Sequence, residues 1–328
     1  MRYIDSPSQN AYFNMALEEY VFERLPKDEQ WCMLWQNARA VVVGKYQNTA
    51  GEINTAFVEE QGIQVVRRLS GGGAMYQDLG NLNFTFVVDQ QKAKALDFEL
   101  FIAPVVRALR RLGAPAEKNG RNDIVIDGRK ISGNAQYNKN GRTMHHGTLL
   151  FCSDLSMLGR VLQVDREKIA SKGVPSVGSR VGNISAWLPA PLTMADFKQA
   201  LVEALFEGGG MQPYALGAGD IAAVRALERE KYATWAWNYG CSPAYTQHKK
   251  RRFAFGGVQL LMQVDKGVLQ ALAIRGDFFG NGEVAALEQA LAGVPLQAQA
   301  VRAALAGVDV AAYIHGMDGE KLAELLLH

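Results

Sequence analysis

Hydrophobic positions along the chain switch between two periods. Over residues 10–25, Phe13, Leu17, Tyr20, Val21 and Phe22 recur at helical spacing and predict an amphipathic helix. Residues 31–35 and 40–44 are short apolar runs of the buried-strand kind, with Asn37-Ala38-Arg39 turning between them. A short helix over 55–61 is stopped by Gly62, and a strand over 63–68 runs directly into Ser70-Gly71-Gly72-Gly73. From 81 to 89 the apolar residues alternate (Leu82, Phe84, Phe86, Val88), which predicts a strand burying that side. Residues 98–112 form a helix with Gly113 as its stop. Three antiparallel strands follow, over 122–126, 130–137 and 143–151. Asp127-Gly128 and Asn140-Gly141 between them suit two-residue hairpins.

A loop rich in Gly, Ser, Lys and Arg is expected over 170–183, then helices over 193–206 and 220–232. Gly240, Pro243 and the run Lys249-Lys250-Arg251-Arg252 mark a domain boundary. That run reads as a solvated linker, with a patch for an acidic partner protein as the alternative. The tail predicts strands over 253–264 and 268–275 around the turn Asp265-Lys266-Gly267, then helices over 283–292, 301–306 and 321–327. No internal repeat is visible. The pattern describes an α/β domain on a mixed or mainly antiparallel sheet over 1–245, followed by a small α+β domain over 250–328.

Bulk properties narrow the field. With 328 residues, 48% hydrophobic and 21% charged, the chain suits two globular domains. A net charge of +2 lacks the basic footprint of a nucleic-acid binder. Cys32, Cys152 and Cys241 are scattered and read as reduced thiols. The start, Met1-Arg2-Tyr3-Ile4-Asp5-Ser6-Pro7, lacks the apolar core of a signal peptide. No run approaches the ~18 apolar residues that span a bilayer. The expectation is a cytoplasmic protein without membrane or nucleic-acid partners.

The chain has no GxxxxGK[ST], no strand–GxGxxG–helix, no HExxH and no G-x-S-x-G. P-loop kinases, Rossmann dehydrogenases, zinc hydrolases and serine esterases are therefore disfavoured. The strongest positive signal is Arg67-Arg68-Leu69-Ser70-Gly71-Gly72-Gly73-Ala74-Met75-Tyr76-Gln77-Asp78. Three glycines between strands let a backbone approach a ligand and aim amides at an anion, and two arginines supply fork-shaped donors for phosphate or carboxylate. The alternative is a tight turn in a sheet with solvated arginines.

A second signal runs from Asn122 to Gln136. Strict alternation places Lys130, Ser132, Asn134 and Gln136 on one face, able to line a nucleotide site, with Ile131, Gly133 and Ala135 behind. Taken alone, Lys130 could be an exposed lysine, and Asp123 either an Mg²⁺ ligand through phosphates or a turn residue. His145-His146-Gly147-Thr148 lies on the next strand, where a histidine is either a site residue or one satisfied within the sheet.

Taken in order, RRLSGGGAMYQDLGNLNF, NDIVIDGRKISGNAQY, HHGTLL, KGVPSVGSRVGNIS and WAWNYGCSPAYT closely resemble the lipoate–protein ligases. FGGVQLLMQVDKGVLQALAIRGDFF is similar to that family's small C-terminal domain. The resemblance implies a biotin/lipoate ligase fold, related to class II tRNA synthetases. It implies an enzyme that joins lipoate to ATP with Mg²⁺, giving lipoyl-AMP and pyrophosphate. The lipoyl group then passes to a lysine of a lipoyl domain, on a 2-oxoacid dehydrogenase acyltransferase subunit or the glycine-cleavage carrier protein.

By the same resemblance Lys130 is the catalytic lysine, and Asn122 and Asp123 lie by the α-phosphate and metal. Arg68 and the turn Gly73-Ala74-Met75-Tyr76 hold nucleotide and acyl group. Ser70, Gly71, Gly72, Asp78, Asn81, Gly133, Ala135 and Gly147 complete the adenylate-binding set. His146 shapes the acyl tunnel, which Trp35, Val42 and Tyr76 line, and Lys172 to Arg180 close over the adenylate. Gln77 and Asn134 depart from the family pattern, which often has histidine and serine there. A monomer is expected. The alternatives are an octanoyl or lipoyl transferase of the same fold, working through an acyl-cysteine, and a non-catalytic lipoyl-domain-binding protein. Residues 117–126 contain no cysteine, which favours adenylation.

Overall fold

The computed structural model describes residues 1–89, 97–120, 122–162, 180–206, 209–239 and 247–327. The chain divides into two compact units. The first comprises Met1–Val42, Ala50–Arg67 and Met75–Asn238, and the second Val43–Thr49, Arg68–Ala74 and Tyr239–His328.

The first unit is built on β1 (Arg2–Asp5), β2 (Trp31–Trp35), β3 (Ala40–Val43), β4 (Gln64–Arg67), β5 (Met75–Gln77), β6 (Asn81–Asp89), β7 (Glu117–Asn119), β8 (Asp123–Ile126), β9 (Arg129–Lys139), β10 (Arg142–Leu150) and β11 (Gln212–Pro213). Eight of these form a mixed sheet in the order β11-β1-β2-β6-β10-β9-β8-β7, and β4-β3-β5 form a smaller one. β11, β1 and β2 run parallel to one another; the other pairs of the large sheet are antiparallel. The two hairpin turns carry the left-handed backbone their sequences favour, with φ of 49° and 72° at Asp127-Gly128 and 51° and 75° at Asn140-Gly141.

Helices cover both faces of the large sheet. Helix α1 (Ala11–Glu23) starts at Asn10, whose side-chain oxygen accepts from the Tyr12 and Phe13 amides. It lies over the face bearing Thr85 and His146, which Glu18 contacts. Helix α2 (Glu99–Arg111) lies over the opposite face, where Phe101 stacks on His145 at 4.6 Å. Strand β6 at the centre is therefore buried on both sides. The expected burial of Leu82, Phe84, Phe86 and Val88 is found, but Asn81, Asn83 and Thr85 on the other side are at most 1% exposed.

The second unit contains the antiparallel strands β12 (Gln247–Phe253), β13 (Gly256–Asp265) and β14 (Val268–Gly276). Helices Val284–Leu291, Ala298–Leu305, Val310–Tyr313 and Gly319–Leu327 close a core around Leu260, Ile274, Leu287 and Leu322. The cationic run is not a linker. It lies in β12, where Arg251 pairs with Glu324, Arg252 with Asp277, and Lys249 donates to the Leu326 carbonyl. Partners brought in by the fold, invisible to local charge counting, consume those cations. Among the described residues no helix is long and apolar enough to cross a membrane.

Candidate active site

Strand β9 is not a regular ladder. Ile124 pairs with Ser132 but Val125 with Lys130, leaving Ile131 as an extra residue in a bulge. A one-residue slip exchanges the faces of everything on one side of it. Lys130 consequently leaves the Ser132 face and joins Gly133: a Cβ at Gly133 would lie 2.8 Å from Lys130 Nζ and 3.0 Å from its Cε. Gly133 is the resting place of the lysine. Asp123, directly opposite Gly133, pairs with Lys130 at 2.7 Å.

The face that Lys130 and Asp123 share continues across the sheet. Paired residues share a face, so Ala135 and His146 lie on it, then Thr85, and through β2 and β6 Trp35 and Asn83. A buried polar chain links these groups. Trp35 Nε1 donates to Thr85 Oγ1 at 2.9 Å, the Thr85 hydroxyl donates to Glu18, and His146 Nδ1 stands 3.0 Å from the same carboxylate oxygen. The carboxylate accepts only, so the His146 proton is on Nδ1. Glu18 was not among the residues singled out from sequence. The available signal was the first acid of the Glu18-Glu19 pair, which directly follows Leu17 on a helix rich in apolar positions.

Further along this face lies a cluster of amides. Asn37 donates to Gln77, and Gln77 donates to Asn83 Oδ1, both at 2.8 Å; Asn81 donates to the same oxygen at 2.9 Å. Gln77 thus uses both ends of its amide. Asn81 Oδ1 is buried without a hydrogen-bond partner, although buried acceptors are normally satisfied. It is an acceptor suited to an N–H donor from a ligand. In the small sheet Val42 pairs with Met75 and Val41 with Tyr76, so Val42 and Tyr76 project from opposite faces and do not line one pocket. Burial, then the charge of Asp78, pushes the Tyr76 hydroxyl up to about 12.

Ser132, Asn134 and Gln136 face the other way, and the expectation that they line the site with Lys130 is corrected by the bulge. Asn134 donates to the Asn122 carbonyl, while its side-chain oxygen meets His145 Nε2 at 3.1 Å. Asn122 returns a bond to the Asn134 carbonyl at 2.6 Å, bracing the strand that presents Asp123. Gln136 donates to the Asp97 carbonyl. Gly147 is glycine because a Cβ there would lie 2.3 Å from Asn134 Oδ1 and 2.4 Å from the Phe84 ring. His145 is fully buried and its pKa is held well below the ordinary value, by burial first and His146 second. It is a neutral structural histidine.

In the second unit the glycine run has an unexpected reason for its glycines. A Cβ at Gly71 would lie 2.3 Å from the Phe278 carbonyl oxygen, and one at Gly44 would lie 2.0 Å from that of Gly72. Arg68 folds back on its own loop, donating to Ser70 Oγ, to the Gly71 carbonyl at 2.7 Å and to the Gly73 carbonyl at 2.9 Å. Ala74 closes the segment, and Met75 opens β5. Arg67, in the first unit, is committed elsewhere: it donates to the carbonyls of Trp237 and Asn238, both at 3.0 Å. Asp78 receives the Gly80 and Asp154 amides and holds a turn. Lys172 lies outside the described residues, as does most of 170–183; Arg180 directly precedes Val181, which bridges to Lys130.

The family model for the lipoyl protein ligase A/B catalytic domain matches residues 10–206, and that for the bacterial lipoate protein ligase C-terminus matches residues 242–326. Lipoate-protein ligase LplJ of Bacillus subtilis strain 168 is 41% identical over 330 residues, covering 99% of this chain and 100% of the relative. The chain belongs to the lipoate–protein ligase family. Among solved lipoate–protein ligases, a bipartite enzyme from Thermoplasma acidophilum, studied with its E2 lipoyl domain, is 27% identical. It covers 75% of this chain and 98% of its own, with a TM-score of 0.64. A lipoate-protein ligase A bound with ATP is 26% identical, covers 73% of this chain and 98% of its own, and has a TM-score of 0.61. The α/β architecture described above is the ligase fold. Cys241 lies outside the described residues; of the two cysteines among them, Cys32 is fully buried and pushed up to about 12 by that burial, and Cys152 is raised by burial and then Asp78. Neither is tuned as a nucleophile.

Proposed function

We propose that this ligase activates lipoate with ATP as lipoyl-AMP and then transfers the lipoyl group to an acceptor lysine. The observation that carries the reading is the Lys130–Asp123 pair on the same sheet face as the Trp35–Thr85–Glu18–His146 chain. That face offers charge at one end and a mostly buried, partly apolar wall at the other, matching an acid with a polar head and an apolar body.

In the first step a lipoate carboxylate oxygen bonds to the α-phosphorus of ATP while the α–β bridging bond breaks and pyrophosphate leaves. Lys130 stabilises the charge that gathers on the α-phosphoryl oxygens, a gain larger in the transition state than in the ground state. Asn81 Oδ1 accepts from the adenine amino group, and His146, oriented by Glu18, shapes the acyl wall. In the second step the acceptor amine attacks the acyl carbon, loses a proton, and AMP departs.

Mg²⁺ fits this donor set through Asp123. Such an ion would be held chiefly by the substrate phosphates, with Asp123 as its ligand from this chain. Bound there, it would neutralise phosphate charge. Residues 1–245 would carry the chemistry, with 250–328 as the accessory domain. The acceptors we assign are lipoyl domains of 2-oxoacid dehydrogenase acyltransferase subunits and the glycine-cleavage carrier protein; the archaeal relative's E2 lipoyl domain supports that class.

The test is pyrophosphate–ATP exchange with and without lipoate, for the native protein and Lys130→Ala. Exchange that needs lipoate and disappears in the variant supports adenylation and the role of Lys130. Absence of exchange, with octanoyl transfer from an acyl carrier protein instead, would overturn the reading.

A further inference from the structure

Lys130 lies beside the bulge of β9 and beyond the end of its pairing with β10. On one edge β8 reaches it through the bulged ladder. On the other edge β10 pairs with β9 only as far as Asn134. That vacant edge is taken by a short strap. Val181 forms a parallel bridge with Lys130, and the Gly182 amide donates to the Lys130 carbonyl at 3.0 Å. The backbone of the lysine is therefore positioned by residues fifty places downstream as much as by its own hairpin.

The strap is pinned from both sides. Asn183 exchanges two side-chain bonds with the Ser153 backbone, at 3.0 and 2.9 Å, and the Ser185 amide donates to the Phe151 carbonyl. Trp187 folds back over Gly182 so closely that a Cβ there would lie 2.6 Å from its Cη2 and 2.9 Å from its Cζ3. Its indole Nε1 donates to Asp127 Oδ2 at 2.7 Å. Asp127 opens the two-residue turn that leads into Arg129 and Lys130. One side chain thus clamps the strap to the turn on which the lysine is mounted.

We infer that Trp187, acting through Gly182 and Asp127, is a positioning residue for Lys130 in adenylate formation. The inference rests on the role assigned to Lys130 above. A lysine that must meet an α-phosphoryl group needs its backbone fixed to a fraction of an ångström, and losing about 1 Å of placement costs on the order of a hundredfold in rate. Neither Trp187 nor Asp127 touches a reacting atom.

The experiment measures lipoate-dependent pyrophosphate exchange and thermal unfolding for Trp187→Ala, Trp187→Phe, Asp127→Asn and Asp127→Gly. Trp187→Ala is expected to lower kcat roughly ten- to a hundredfold while leaving the KM for lipoate within about twofold. Trp187→Phe and Asp127→Gly, which remove the hydrogen bond but keep the ring or the turn, lose less in the same direction. Asp127→Asn keeps an acceptor oxygen and a left-handed turn residue, and stays near the native rate. Hydrogen exchange at the Gly182 amide should quicken in Trp187→Ala. A folded Trp187→Ala with native kcat, or Asp127→Asn as impaired as Asp127→Gly, overturns the inference. Should Trp187→Ala not fold, Trp187→Phe and the Asp127 pair decide. A native protein with no lipoate-dependent exchange would defeat the ligase reading itself, and Gly182 amide protection would then decide the clamp alone.

Discussion

Gly133→Ala separates the chemistry of the lysine from the stability of the fold. The added methyl would meet Lys130 Nζ at 2.8 Å and Cε at 3.0 Å, where ordinary contact is about 3.5 Å or more. The lysine tail must retreat by roughly 0.5–0.7 Å to restore that contact. The atoms that give way belong to a flexible side chain, so the backbone is spared. Gly133 is absent from the glycines with positive φ, so alanine fits its conformation. An alanine within a strand recovers roughly 0.5–1 kcal/mol of chain entropy. The expected result is a protein as stable as the native one or slightly more so, with lipoate-dependent pyrophosphate exchange down about ten- to a hundredfold. Thermal unfolding and exchange kinetics on the same preparation test both halves. Undiminished exchange would mean that the resting place of Lys130 over Gly133 has no bearing on catalysis. A drop of many degrees in Tm would mean that the methyl strikes packed backbone and that the face assignment is wrong.

His145 gives a pH signature. Its native pKa lies well below the ordinary value because of burial, so the unfolded chain binds the proton more readily. Its contribution to stability is complete above about pH 6.5 and falls, by up to ~1.4 kcal/mol per pH unit, as acidification proceeds from there toward the depressed native value. Denaturant titrations between pH 8 and 5 should show a shallower acid loss in His145→Asn. Replacing Cys32, Cys152 and Cys241 together should leave exchange and acyl transfer within a fewfold of native, whereas loss of transfer would indicate thioester chemistry. Arg67→Lys should cost about 1–3 kcal/mol, because buried carbonyls of Trp237 and Asn238 lose their forked donor. The KM for ATP should hardly change; a large rise would show that Arg67 meets phosphate.

How much could be read beforehand depended on whether the deciding partner was local. Asp-Gly and Asn-Gly carry their left-handed backbone with them, and strand Asn81–Asp89 has its expected bounds because alternation and flanking turn residues are near neighbours. The bulge at Ile131 was not legible: it is defined by which residue of β8 opposes which of β9, and the sequence of β9 alone suits a regular strand equally well. That single slip moved Lys130 to the face of His146 and turned Ser132, Asn134 and Gln136 into bracing. The motif was found, but its geometry had to come from its pairing.

The glycines carry the same lesson about cause. Their run marked a place where backbones come close, and the two neighbouring arginines suggested a ligand as the visitor. The close visitor in the second unit is the Phe278 carbonyl, which arrives from far along the chain and leaves no room for a Cβ at Gly71. A motif read as ligand chemistry is thus also a packing motif, and the two demands fall on different residues. Gly71 answers to Phe278, Gly133 to Lys130, and Gly182 to Trp187. Substituting these three should therefore give three distinct phenotypes: a packing defect in the second unit, a misplaced lysine in a stable fold, and a displaced strap beside that lysine. A uniform loss of nucleotide affinity across all three, without those differences, would overturn this division of roles.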